Sequence, residues 1–97
     1  MNLHIVMTKL KMKEIEKTLK SLANKRRLCI IQFLKKGKEA SVGELAGAIK
    51  LSFRSTSRHL AILTSVDILE KEQRSIQVYY RLSSKRSPTL THILSLL

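Results

Sequence analysis

Ser41-Val42-Gly43-Glu44-Leu45-Ala46, running on through Gly47-Ala48-Ile49-Lys50-Leu51 into Ser52-Phe53-Arg54-Ser55-Thr56-Ser57-Arg58-His59-Leu60, is the stretch that decides the fold. Ser41 and Glu44 stand at the spacing of a capping box, and Val42, Leu45, Ala46 and Ile49 then form one apolar stripe, which predicts a short helix. Ser52 is a good cap for a second helix over Phe53 to Ser65. Thr56, Leu60 and Leu63 share one side of it; Arg54, Ser55, Ser57, Arg58 and Ala61 share the other, with no acidic residue among them. Two short helices joined by a tight polar connection, the second turning Arg and Ser outward, describe a helix-turn-helix.

On the N-terminal side, Met12, Ile15, Leu19 and Leu22 recur at steps of three and four, with Lys9, Lys13, Glu16, Lys17 and Lys20 around the rest of the circle. This predicts an amphipathic helix. A second helix begins near Asn24, a suitable cap, and is apolar nearly all round from Leu28 to Leu34, as a central buried helix must be. Lys35-Lys36-Gly37 stops it. On the C-terminal side the period changes: Ile76, Val78, Tyr80 and Leu82 alternate with Gln77, Tyr79 and Arg81, which predicts a half-buried strand, with Ile68-Leu69-Glu70-Lys71 as its antiparallel mate and Gln73-Arg74-Ser75 as the hairpin tip. Pro88 suits the first turn of a closing helix bearing Leu90, Ile93, Leu94 and Leu97. The expected class is therefore mainly α with a β-hairpin wing, in the order ααααββα, as one winged-helix domain over residues 1–97.

At 97 residues with 43% hydrophobic and 27% charged side chains, the composition is that of one globular domain and excludes a multi-domain enzyme. A chain this small has too little core to cover the stripes of both its first and last helices, so Met12, Ile15 and Leu19 with Leu90, Ile93, Leu94 and Leu97 predict a homodimer interface. Nineteen Lys and Arg against seven Asp and Glu give a formal charge of +12. Such a field draws polyanions, with nucleic acid the first candidate and an acidic membrane surface the second. No uncharged run approaches the roughly 20 residues that span a bilayer, so no membrane association by insertion is expected. The start Met1–Met7 lacks the basic region of a signal peptide. A single cysteine, Cys29, excludes an internal disulfide and fits a reducing, cytoplasmic compartment.

Arg54, Ser55, Ser57 and Arg58 are the candidate DNA contacts of the fourth helix: an Arg fork takes both acceptors of a guanine, and Ser is short enough to bond phosphate or base edge without holding the helix away. Phe53 either closes the core or touches a thymine methyl. Lys71 and Arg74, flanking the hairpin tip, are candidates for phosphate, in a field weakened by Glu70 and Glu72. His59 is expected to pack at the helix edge and bond a neighbour. Cys29 reads as a small buried hydrophobe, a thiol switch being the alternative. Tyr80 belongs to the core face of the hairpin and Tyr79 to the outer one. His4 and His92 have no carboxylate beside them, so neither metal nor other cofactor is expected. Scattered glycines and dispersed acids offer no catalytic constellation.

Leu22-Ala23-Asn24-Lys25-Arg26-Arg27-Leu28, Ser41-Val42-Gly43-Glu44-Leu45-Ala46, Leu51-Ser52 with Ser57-Arg58-His59-Leu60, and Val78-Tyr79-Tyr80-Arg81-Leu82 together resemble the ArsR/SmtB family of winged-helix repressors, in one register over residues 9 to 97. The resemblance implies a dimer built on the first and last helices, the fourth helix in the DNA major groove and the hairpin as a wing. Metal-sensing members carry Cys-x-Cys where this chain reads Glu39-Ala40-Ser41-Val42-Gly43-Glu44, and Asp and His clusters where it reads Thr89-Leu90-Thr91-His92-Ile93. At the wing tip, Ser75 stands where Gly is usual and Ile76-Gln77 where Arg is common. The expected function is a sequence-specific double-stranded DNA-binding repressor, a homodimer on a palindromic operator, controlled by an unknown small-molecule effector, by thiol chemistry or by its own concentration. An interaction module with the same fold, and an architectural DNA binder without sequence choice, are the alternatives.

Overall fold

The computed structural model describes residues 2–97, so Met1 of the Met1–Met7 start lies outside the described residues. The elements follow as α1 (Leu3–Leu22), α2 (Lys25–Lys35), β1 (Ala40–Ser41), α3 (Val42–Ile49), α4 (Phe53–Ser65), β2 (Leu69–Arg74), β3 (Gln77–Leu82) and α5 (Pro88–Leu96). Asn24, Ser41 and Ser52 cap their helices as the sequence reading expects, and Ser87 caps the last helix. Asn24 accepts from the Arg27 amide at 3.1 Å, Ser52 from Ser55 at 3.1 Å, and Ser87 from Leu90 at 3.2 Å with Pro88 in the first turn. The capping box of α3 is complete, the Glu44 amide donating to Ser41 Oγ at 3.2 Å and the Ser41 amide to Glu44 Oε1 at 3.1 Å. Each such cap stabilises by about 1 kcal/mol. Gly37, at φ 73°, takes the left-handed conformation that ends α2.

Two elements differ from the sequence reading. Helix α1 begins at Leu3, nine residues before Met12. Leu3, Val6, Met7 and Leu10 have helical spacing of their own, but at 100° per residue their stripe lies half a turn round from Met12, Ile15 and Leu19, so the two do not merge into one pattern. The order is also ααβααββα rather than ααααββα, because Ala40 and Ser41 pair with Tyr80 and Tyr79 to add a third antiparallel strand, in the order β1-β3-β2. A two-residue strand leaves no alternation to read.

The core is organised around α2, whose Ile30, Ile31 and Leu34 are fully buried against Leu45 of α3, Leu60 and Leu63 of α4, the base of the hairpin at Leu69 and Leu82, and Leu90 and Leu94 of α5. That placement corrects part of the expected dimer surface. Leu90 and Leu94, 2% and 5% exposed, fill the protomer's own core, which leaves Ile93 and Leu97, both half-buried, at its edge. By contrast Met12, Ile15 and Leu19 remain 64%, 45% and 45% exposed. Ile76 does not continue the core face of β3. It lies in the two-residue turn between Arg74 and Gln77, beyond the part of the hairpin that packs. Cys29 is half-buried rather than buried, on the wall of a groove of about 840 Å³ with Phe33, Lys36 and Leu97.

Among the described residues no helix is long and apolar enough to cross a membrane. One buried polar atom, Thr56 Oγ1 on the core side of α4, has no hydrogen-bond partner among the described residues. An unpaired buried hydroxyl costs about 1–3 kcal/mol. Thr56→Val should therefore raise stability in urea unfolding by about 1 kcal/mol, whereas Leu60→Ala, in the middle of the core face of α4, should lower it by about 2–5 kcal/mol.

Candidate nucleic-acid interface

Helix α4 is held by its inner side and open on its outer one. Thr56, Leu60 and Leu63 are buried, and Arg54, Arg58 and Ala61 are exposed, with Ser55 and Ser57 half-buried between them. Phe53 is exposed at the first turn, so it does not close the core. The expected contact residues therefore share one accessible surface, with Arg54 and Arg58 one turn apart. The α3 to α4 turn is tight: Lys50 takes the left-handed conformation at φ 55°, and the Leu51 amide bonds the Ala46 carbonyl at 3.0 Å.

Two arginines of α2 hold this unit, a role that no local pattern announced. Arg26 Nη1 donates to the Ile49 carbonyl at the end of α3, at 3.4 Å. Arg27 Nε donates to the Ser21 carbonyl at the end of α1, at 2.5 Å, while its Nη1 lies 3.2 Å from His59 Nδ1 in the middle of α4. Because a guanidinium has donors and no acceptor, Nδ1 must accept, and the His59 proton sits on Nε2. His59 thus packs at the helix edge against a neighbour, as expected. Burial first, and then the positive charges of Arg27, Arg26 and Arg58, hold its pKa below the ordinary value of 6.5.

The hairpin carries all its charges but that of Lys71 on one face, and the register explains which. Glu70 lies opposite Arg81, Glu72 opposite Tyr79 and Arg74 opposite Gln77, and on the other edge β1 pairs Ala40 with Tyr80. Since alternate residues share a face, Glu39, Glu70, Glu72, Arg74, Tyr79 and Arg81 all fall on the outer one. Arg74 donates to both carboxylate oxygens of Glu39 and, at 2.5 Å, to Glu72, and its guanidinium lies 5.0 Å from the centre of the Tyr79 ring. Arg81 donates to Glu70 at 2.9 Å and to Glu72 at 3.3 Å. Hydrogen bonds from Arg74 hold the Glu39 and Glu72 carboxyls below the usual carboxylate range. Arg74, expected at phosphate, is thus occupied within the protein, and it sits in strand β2 rather than in the turn. Lys71 is exposed and makes no ion pair among the described residues. The role of Glu39 is not readable in the sequence, because the partner it neutralises is 35 positions away. Among the described residues no group of three His, Cys, Asp or Glu is placed to hold a metal ion.

A helix-turn-helix with a free cationic face, followed by a β-hairpin on a small antiparallel sheet, defines a winged-helix DNA-binding regulator of transcription. The arsR family model of bacterial regulatory proteins matches residues 24–71. Over 76 residues the chain is 37% identical to the transcriptional activator HlyU of Vibrio cholerae, an alignment spanning 78% of this chain and 69% of that one. The structure of reduced HlyU superposes with a TM-score of 0.79 at 32% identity, covering 94% of this chain and 92% of that chain. The transcriptional repressor BigR of Xylella fastidiosa gives 0.75 at 27% identity, covering 98% and 93%. A homodimeric winged helix-turn-helix DNA-binding domain of Mycobacterium bovis gives 0.76 at 25% identity, covering 90% and 77%. The chain belongs to the arsR family: it is a DNA-binding transcriptional regulator, not an enzyme.

The partial burial of His59, with Arg27 beside it, sets a pH dependence. With a folded pKa lowered below 6.5, the unfolded chain binds the proton more readily, so the contribution is complete above pH 6.5 and is lost as pH falls through the folded value. The melting temperature should fall between pH 7 and pH 5, and His59→Gln, whose amide oxygen can still accept from Arg27, should flatten that part of the profile.

Proposed function

We propose that the chain is a cytoplasmic homodimeric repressor that occupies a palindromic operator, with Phe53, Arg54, Ser55, Ser57 and Arg58 of α4 in the major groove and Lys71 of the wing on the phosphate backbone. The observation that carries this reading is the acid-free outer face of α4, anchored from behind by Thr56, Leu60 and Leu63. A helix held so firmly on one side can press its other side into a groove without deforming. Residues 1–97 serve as one winged-helix domain, dimerising through its first and last helices. The dimer is supported by the exposed Met12, Ile15 and Leu19 stripe of α1 and by Ile93 and Leu97 at the edge of the core, and two-fold pairing would set two recognition helices about 34 Å apart, one turn of DNA. The Mycobacterium bovis relative is homodimeric and BigR is a repressor. HlyU is an activator, so the sign of control follows from where the operator lies relative to the promoter. What releases the protein from DNA is an unknown small-molecule effector or a change at Cys29.

Arg58→Ala should cost about 1–3 kcal/mol and reduce discrimination between the operator and a scrambled duplex. Lys71→Ala should weaken both duplexes alike and lower the salt slope by about one for each phosphate that is no longer neutralised. Ile15→Glu should shift the sedimenting species from dimer to monomer and reduce DNA binding while touching no DNA contact. Unchanged duplex affinity in the Arg54→Ala, Arg58→Ala double variant sinks the recognition-helix assignment.

A further inference from the structure

The hairpin is buried at its base and bare at its end. Leu69 and Leu82 pair at the base inside the core, and exposure grows along both strands to the Ser75-Ile76 turn. Ile76 is 93% exposed, the most exposed large hydrophobic among the described residues. Folding does not call for an isoleucine there. A turn residue in full contact with water contributes nothing to the core, β-branched residues favour strands over turns, and Ser75 already supplies the left-handed conformation at φ 58°. Charge is withdrawn from the same end. From Gln73 to Val78 the one charged side chain is Arg74, held by Glu39 and Glu72 and stacked on Tyr79. Arg81, nearer the base, is held by Glu70 and Glu72.

We propose that the wing meets DNA through Ile76, which enters the minor groove and packs on sugars and base edges, while Glu39 and Glu72 keep Arg74 from phosphate. The inference rests on the DNA-binding reading above and adds to it the chemistry of the second contact. The minor groove is about 6 Å wide and 7.5 Å deep, enough for one aliphatic side chain on a two-residue turn but not for a helix. Apolar side chains are a known means of engaging that groove. An apolar contact displaces no condensed counterions, so it adds affinity that depends on groove shape and is nearly independent of salt. A phosphate contact does the opposite. The two modes are therefore separable in one titration series.

The test uses a duplex selected from a random library by the wild-type dimer, with fluorescence anisotropy across a range of salt concentrations. Ile76→Ala, a change at an exposed turn that leaves urea unfolding as it was, should weaken binding about fivefold to tenfold, the scale of one partly buried aliphatic side chain, with the salt slope unchanged. Hydroxyl-radical cleavage, which attacks deoxyribose from the minor groove, should lose the protection flanking the α4 contact in Ile76→Ala and keep it in Arg58→Ala. Glu39→Gln combined with Glu72→Gln should release Arg74 and steepen the slope by about one per chain. Wild-type affinity in Ile76→Ala, or a lowered slope, overturns the apolar contact and leaves Ile76 to a protein partner. An unchanged slope in that double variant overturns the shielding of Arg74. If Arg58→Ala also binds as the wild type does, the recognition-helix reading has failed as well, an outcome distinct from the failure of Ile76 alone.

Discussion

The guanidinium of Arg27 is the point at which three helices are tied together. From the first turn of α2 it bonds the Ser21 carbonyl that ends α1 and the His59 ring in the middle of α4. Helices α2 and α4 would pack through Ile30, Ile31, Leu60 and Leu63 without it, since hydrophobic contact stabilises but tolerates rotation and sliding. A directional bond from a fixed fork onto one ring nitrogen does not. Together with buried Thr56, Leu60 and Leu63 it fixes the rotation of α4 about its own axis, and with it the direction in which Arg54, Ser57 and Arg58 point. His59 immediately follows Arg58, so a side chain that ties the helix inward adjoins one that faces outward.

A net charge of +12 attracts DNA of any sequence, and attraction of that kind cannot choose. The wing moderates it locally. Exposed ion pairs are individually worth about 0–1 kcal/mol, so the carboxylates around Arg74 and Arg81 matter less for holding the sheet together than for cancelling its charge. The positive field is left to the lysine-rich first helices and to α4, whose arginines face outward. Long-range attraction and short-range choice are thereby assigned to different parts of one small body.

Much of this is legible in the sequence because it depends on short separations. Caps three residues from their partners, stripes at three and four, and alternation in β3 define α2, α3, α4, the hairpin and α5, with starts marked by Asn24, Ser41, Ser52 and Pro88. The outer face of α4 is legible for the same reason. What escapes is non-local. Strand β1 exists only because β3 lies beside it, and Arg74 is neutralised by Glu39, which immediately precedes β1. Leu90 and Leu94 look like an exposed stripe until the core they fill is built. Ile76 keeps the alternation of its strand in the sequence, but in the fold the chain has already turned there. Helix α1 reads too short because its two apolar stripes lie on opposite sides and only one continues toward the core.

Ser41 belongs to two elements at once: it pairs with Tyr79 as the last residue of β1, and its hydroxyl caps α3. No loop separates the sheet from the helix-turn-helix, so the joint between them has no play. A push on the hairpin turns α3, and α4 follows through the tight turn at Lys50, as parts of one lever rather than as hinged pieces. In the proposed complex, two surfaces coupled so rigidly would arrive in register together, and the orientational entropy of docking would be lost once for both.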